Sequence, residues 1–151
     1  MKHRIQAKKL NRDTNHRKML LRNLVRSLIE TGEIVTTVAK AKETRRIADS
    51  LIGKAKVDSI TSRRNLHRFF GTRDVVNTLV EKIAPEFTDR VSGFTRITPV
   101  GSRRGDNTKV VSLAFVKKPA TVGSLKKPKT EQAPKPEVKK VATPKKAAKK
   151  T

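Results

Sequence analysis

The sequence predicts an α+β fold, about four helices packed on a small antiparallel sheet, with a basic N-terminal arm and a disordered C-terminal tail. Apolar residues recur at helical spacing from about residue 15 to residue 83. The pattern then changes to β-branched and aromatic runs at 94–98 and 110–116. Of 38 Leu, Ile, Val and Phe residues, 34 lie within residues 1–116, so one folded domain of that size is expected.

Residues 1–13 are largely polar or charged with no sustained period, which reads as an extended basic arm. From about Asn15 a helix is expected, with Leu21, Leu24, Val25 and Leu28 on one stripe, Lys18, Arg22 and Arg26 along its border, and Thr31-Gly32 as its stop. Glu33 to Val38 is short and β-branched, a strand or extended link. A second helix is expected over Ala39 to Lys56 through Ala41, Ala48, Leu51, Ile52 and Ala55, with Gly53 weakening its last turn. Asp58 or Ser59 caps a third, running to Phe70 with Gly71 as its stop. Thr72 caps a fourth through Val75, Val76, Leu79, Val80 and Ile83, ending before Pro85. Phe94 to Thr98 and Val110 to Val116, separated by a basic loop at 101–107, form a hairpin, and the segment near Ile34 is a candidate third strand. Three parts are expected: an arm at 1–13, a globular RNA-binding domain at 14–116, and a Lys-, Pro- and Ala-rich tail at 117–151 that is too poor in apolar residues to fold alone.

A net charge of +24 on 151 residues calls for a polyanionic partner, with nucleic acid first. Residues 1–116 hold all 15 Arg with 10 Lys against 11 acids, whereas the tail holds 12 Lys, 2 Glu and no Arg. A guanidinium donates two hydrogen bonds to one phosphate in fixed geometry, so the domain should make a shaped contact and the tail a looser, screened one.

The words Met1-Lys2-His3-Arg4, Leu10-Asn11-Arg12, His16-Arg17, Arg22-Asn23-Leu24, Thr36-Thr37 with Ala41-Lys42-Glu43, Arg45-Arg46, Gly93-Phe94-Thr95-Arg96-Ile97 and Arg104-Gly105-Asp106 occur in order. Together they resemble the bacterial-type large-subunit ribosomal protein seventeen family over about residues 1–116. The tail departs from that pattern, since many members stop soon after the final strand, and Phe94 stands where Tyr is commoner. The resemblance implies a structural component of the large ribosomal subunit in the cytoplasmic ribosome, bound to its long RNA near the peptide exit tunnel and beside neighbouring large-subunit proteins.

The candidate RNA-binding residues are Lys2, His3, Arg4, Lys8, Lys9 and Arg12 in the arm; His16, Arg17, Lys18, Arg22 and Arg26 on the first helix; and Lys42, Arg45 and Arg46 on the second. Arg63 and Arg64 on the third, Arg96 on a strand, and Arg103 and Arg104 at the hairpin tip complete the set. Each has a plainer reading. Lys18, Arg22 and Arg26 can form a solvated helix edge, and Arg45 and Arg46 can pair with Glu43 or Asp49. Arg63 and Arg64 are similar, and His16 or His67 can be a partly buried neutral histidine. Asp106 reads as a turn former that accepts from nearby amides.

No cofactor or metal is expected: Cys is absent and His3, His16 and His67 are scattered. No phosphate loop, nucleophile elbow or paired carboxylates suggest an enzyme. Without Tyr or Trp, an open sheet stacking single-stranded bases is not expected. No apolar run suits a signal peptide or membrane span, although a transit peptide stays open on the basic first 26 residues, and a soluble intracellular protein is the default. The rival is a DNA-compacting chromosomal protein with a linker-histone-like tail, and a membrane-surface protein ranks third.

Overall fold

The computed structural model describes residues 8–117, so Lys2, His3, Arg4 and all of the tail beyond Lys117 lie outside the described residues. A turn with Leu10 and Asn11 at positive φ leads to helix α1, Thr14–Thr31. Asp13 caps α1, its Oδ2 accepting from the His16 amide at 3.3 Å. Leu21, Val25, Leu28 and Ile29 are buried on one stripe, with Ile29 taking the place expected for Leu24, which is half-buried. Gly32, at φ 81°, ends the helix with its amide on the Leu28 carbonyl at 2.8 Å.

Strand β1, Glu33–Thr37, runs directly into helix α2, Val38–Ala55. Ala41, Ala48 and Ala55 recur every seventh residue and are buried with Leu51 and Ile52. These small side chains let α2 approach α1, α3 and β3 together. The helix passes through Gly53 to Ala55, and the following Lys56 Nζ donates to the carbonyls of Arg90 at 2.6 Å and Thr88 at 3.3 Å. Helix α3, Ile60–Phe70, is capped by Ser59, whose Oγ accepts from the Ser62 amide at 3.1 Å, and it ends at Gly71 with φ 75°.

Helix α4 differs from expectation. Its α-helical turn covers Arg73–Asn77, widens to a π-helical turn over Thr78–Ile83, and tightens to a 3-10 turn over Ala84–Phe87. The Ala84 amide bonds the Leu79 carbonyl, five residues back. That widening lets Pro85, which has no N–H and would collide with a carbonyl four residues earlier, continue the helix instead of ending it. Phe87 is thereby carried into the core.

Strands β2, Thr95–Ser102, and β3, Lys109–Phe115, form the expected hairpin, with β2 longer than its aromatic run suggested. A bulge between Pro99 and Gly101 lets β2 continue past the proline. The sheet is antiparallel in the order β1-β3-β2, so the segment near Ile34 is its third strand, with Ile34 opposite Leu113. Val111, Leu113 and Phe115 alternate along β3 and face the helices, joined there by Ile34 and Ile97. Phe87 packs edge-on to Phe94 at 5.3 Å between centroids and lies 6.2 Å from Phe115, sealing the end of the sheet. Asp49 ties α2 to β2 by accepting from Thr95 Oγ1 at 3.1 Å.

Phe87 is fully buried, so Phe87→Ala should cost about 3–5 kcal/mol in urea unfolding of the full chain, and Phe87→Leu distinctly less. Gly71→Ala meets no steric obstacle, yet its φ of 75° should still make it destabilising by about 1 kcal/mol.

Candidate nucleic-acid interface

Two groups stand out among the charged side chains of the described residues. In the first, an acid holds the cation. Arg26 Nε donates to Glu30 at 2.7 Å, and Arg45 lies 3.8 Å from Asp49. Arg63 grips Asp58 at 2.6 and 3.0 Å and lies 3.5 Å from Glu81, whereas Lys117 pairs with Asp89 at 2.9 Å. At the hairpin tip Arg103 donates to both oxygens of Asp106, at 3.2 and 2.5 Å, while Asp106 Oδ1 also accepts from the Thr108 amide at 3.3 Å. Asp106 is thus the turn former expected, and Arg103 is part of the same clasp.

These contacts shift the acids in one direction. Hydrogen bonds from Arg103 and Thr108 hold the Asp106 carboxyl below the usual carboxylate range. The Arg63 hydrogen bond does the same for Asp58, and the Lys117 hydrogen bond for Asp89. All three are solvent-exposed pairs, so they set local geometry more than global stability.

The second group lines a furrow where α1, α2 and α3 meet. One half has a volume of about 660 Å³ and the other about 570 Å³, and they share Leu21, Ile47, Leu51, Lys54 and Phe69. Helix α1 contributes Arg17, Lys18 and Arg22; α2 contributes Glu43, Arg46, Ser50 and Lys54; α3 contributes Asn65 and Arg68; and Lys8 stands at one end. An apolar floor thus carries a cationic rim. Arg22 Nε is buried without a hydrogen-bond partner, although its Nη1 lies 3.6 Å from Met19 Sδ. A buried donor in that state is costly until an acceptor arrives.

Of the expected contact residues, the structure therefore brings Lys8, Arg17, Lys18, Arg22 and Arg46 together. Lys54, Arg68, Asn65 and Phe69 were not anticipated there. Arg68 follows Arg64 by one helical turn, a signal present in the sequence, but Lys54 needs the packed helices to be placed. A smaller hollow between α3 and α4, about 380 Å³, gathers Arg63, Arg64, His67 and Arg73. Lys9, Lys42, Arg64, Arg96 and Arg104 are exposed outside the furrow. Arg12 Nε contacts His16 Nε2 at 3.3 Å, and His16, read as a candidate for partial burial, is exposed, as is His67. Among the described residues no group of three His, Cys, Asp or Glu could hold a metal, and no helix is long and apolar enough to cross a membrane.

Residues 20–116 match the family model described as Ribosomal protein L17. The chain belongs to the ribosomal protein L17 family. It is 48% identical over 109 residues to the large ribosomal subunit protein bL17 of Finegoldia magna, covering 72% of this chain and 83% of that one. The bL17 protein of Fervidobacterium nodosum is 44% identical over 126 residues, 77% of this chain and 99% of its own length, and that of Clostridium botulinum is 47% identical over 109 residues, covering 72% and 96%. L17 membership makes this a structural ribosomal component and not an enzyme. The family match spans all three helices of the furrow from residue 20 onward.

Asp106 is depressed in the folded state, so its clasp should be complete at and above the ordinary carboxylate range, near pH 4, and should open only as pH falls below it. The Thr108 amide resonance should accordingly stay constant from about pH 8 to 5 and move only under more acid conditions. In Asp106→Asn it should be displaced throughout.

Proposed function

We propose that this L17-family protein is a structural constituent of the large ribosomal subunit that binds and stabilises its large ribosomal RNA on the outer surface near the peptide exit tunnel, beside neighbouring large-subunit proteins. The observation that carries the RNA reading is the furrow, where Lys8, Arg17, Lys18, Arg22, Lys54 and Arg68 converge from the arm and three helices. Phosphate oxygens would satisfy the buried Arg22 Nε and relieve repulsion among the cations. Its position on rigid helices preorganises the contact.

The other expected contacts extend this surface. Arg96, Arg104, Lys42 and Arg64 add exposed charge, and Arg26, Arg45, Arg63 and Arg103 would exchange a carboxylate for a phosphate. Lys2, His3 and Arg4 of the arm would reach further along the RNA, with the division into arm 1–13, domain 14–116 and tail 117–151 serving anchoring, shaped contact and screened attraction in turn. Its place of work is the cytoplasmic ribosome, a reading supported by relatives named as large ribosomal subunit proteins. A DNA-compacting role is disfavoured by family membership and by cations spread over three helices instead of one recognition helix.

In a sucrose gradient of lysate at moderate salt, the protein should migrate near-stoichiometrically with the large subunit and be unaffected by DNase; migration with DNA, lost on DNase treatment, would favour the chromosomal rival. Binding of the full chain to large-subunit RNA should weaken by about three to five powers of ten between low and moderate salt if about 6–10 phosphates are contacted. Arg17→Ala and Arg68→Ala should each lower the salt slope by about one, and a flat profile would reject the account.

A further inference from the structure

The furrow contains a group that a simple phosphate seat does not explain. Glu43 lines it, is only 9% exposed, and makes no hydrogen bond or ion pair with any described residue. A carboxylate repels phosphate, and this one neutralises no particular neighbouring cation. What it can do is accept hydrogen bonds. Beside it, half-buried Phe69 lines both halves of the furrow above Leu21, Ile47 and Leu51. Apolar surface of that kind gains nothing from a sugar-phosphate backbone, but it suits the face of a base.

Resting on the RNA-binding reading, we propose that the furrow is a pocket for one unpaired nucleotide of the RNA, with its base stacked on Phe69, its donor-bearing edge hydrogen-bonded to the Glu43 carboxylate, and its flanking phosphates on Arg22 and Lys54. The halves, about 660 and 570 Å³, fall in the size range of small-molecule pockets. Single-stranded bulges and loops are where proteins read RNA bases, because a splayed base exposes both its face and its Watson–Crick edge. Guanine fits best: its N1–H and its 2-amino N–H lie side by side and meet both carboxylate oxygens, a match that uracil and cytosine cannot make.

The test uses the full chain and fluorescein-labelled RNA duplexes of about 20 base pairs, either uninterrupted or carrying one bulged guanosine or one bulged inosine, which lacks the 2-amino group. Fluorescence anisotropy should show the guanosine bulge bound about tenfold more tightly than the uninterrupted duplex, with inosine between them. Phe69→Leu should erase the preference for a bulge, read as the ratio of bulged to uninterrupted duplex affinity. Glu43→Gln, nearly isosteric, should abolish discrimination of guanosine from inosine; because it also removes a negative charge, the ratio of affinities is the readout. Equal binding of all three RNAs by the wild type, with normal salt dependence, would overturn the pocket and leave the RNA-binding reading intact. Binding of none would overturn both. Should either variant melt well below the wild type, the inosine comparison on the unaltered chain still decides.

Discussion

Mutual repulsion among its own cations is the constraint under which this chain folds, since a net charge of +24 opposes any compact state until a polyanion is present. The acids are used against it at joints. Asp13 caps the first helix, Asp49 links a helix to the sheet while lying beside Arg45, Asp58 holds the start of α3 to Arg63, and Asp89 receives Lys117 as the chain leaves the last strand. Exposed pairs of this kind contribute little individually. Their larger effect is spatial. They occupy cations at the corners of the fold, while another concentration of positive charge lies where the three helices meet.

That meeting place depends on the core beneath it. The alanines of α2 draw it close to α1 and α3, and Leu21 and Leu51 turn toward both the interior and the furrow floor. Phe87, Phe94 and Phe115 fix the far side, where the sheet closes on the helices. The furrow is therefore a shape produced by packing, and the backbone positions from which its cations project are set by the core beneath them.

Much of this was legible in the sequence because it is local. Gly32 and Gly71 end helices where left-handed backbone is required, Ser59 caps where its hydroxyl can reach an amide, and the alternating runs mark the hairpin. The passage through Pro85 was not legible, because a proline ordinarily stops a helix and nothing in the composition signals a compensating wide turn. Nor was the furrow. Its residues come from separate helices, so Lys54 and Phe69 acquire their setting only when α2 and α3 pack, and Phe69 reads as plain core in a linear pattern. The pairing of Arg103 with Asp106 spans three residues and is half visible: the acid reads as a turn former, whereas the arginine reads as a phosphate contact with no sign of its local partner.

Pro99 lies on β2, an outer strand of the sheet, beside the bulge that shifts its register with β3. An outer strand offers a row of backbone donors and acceptors to any second copy that arrives alongside, and a proline deletes one donor while the bulge twists the remainder out of line. A blunted edge of this kind guards against edge-to-edge association, is built into the backbone, and is independent of the surface charge.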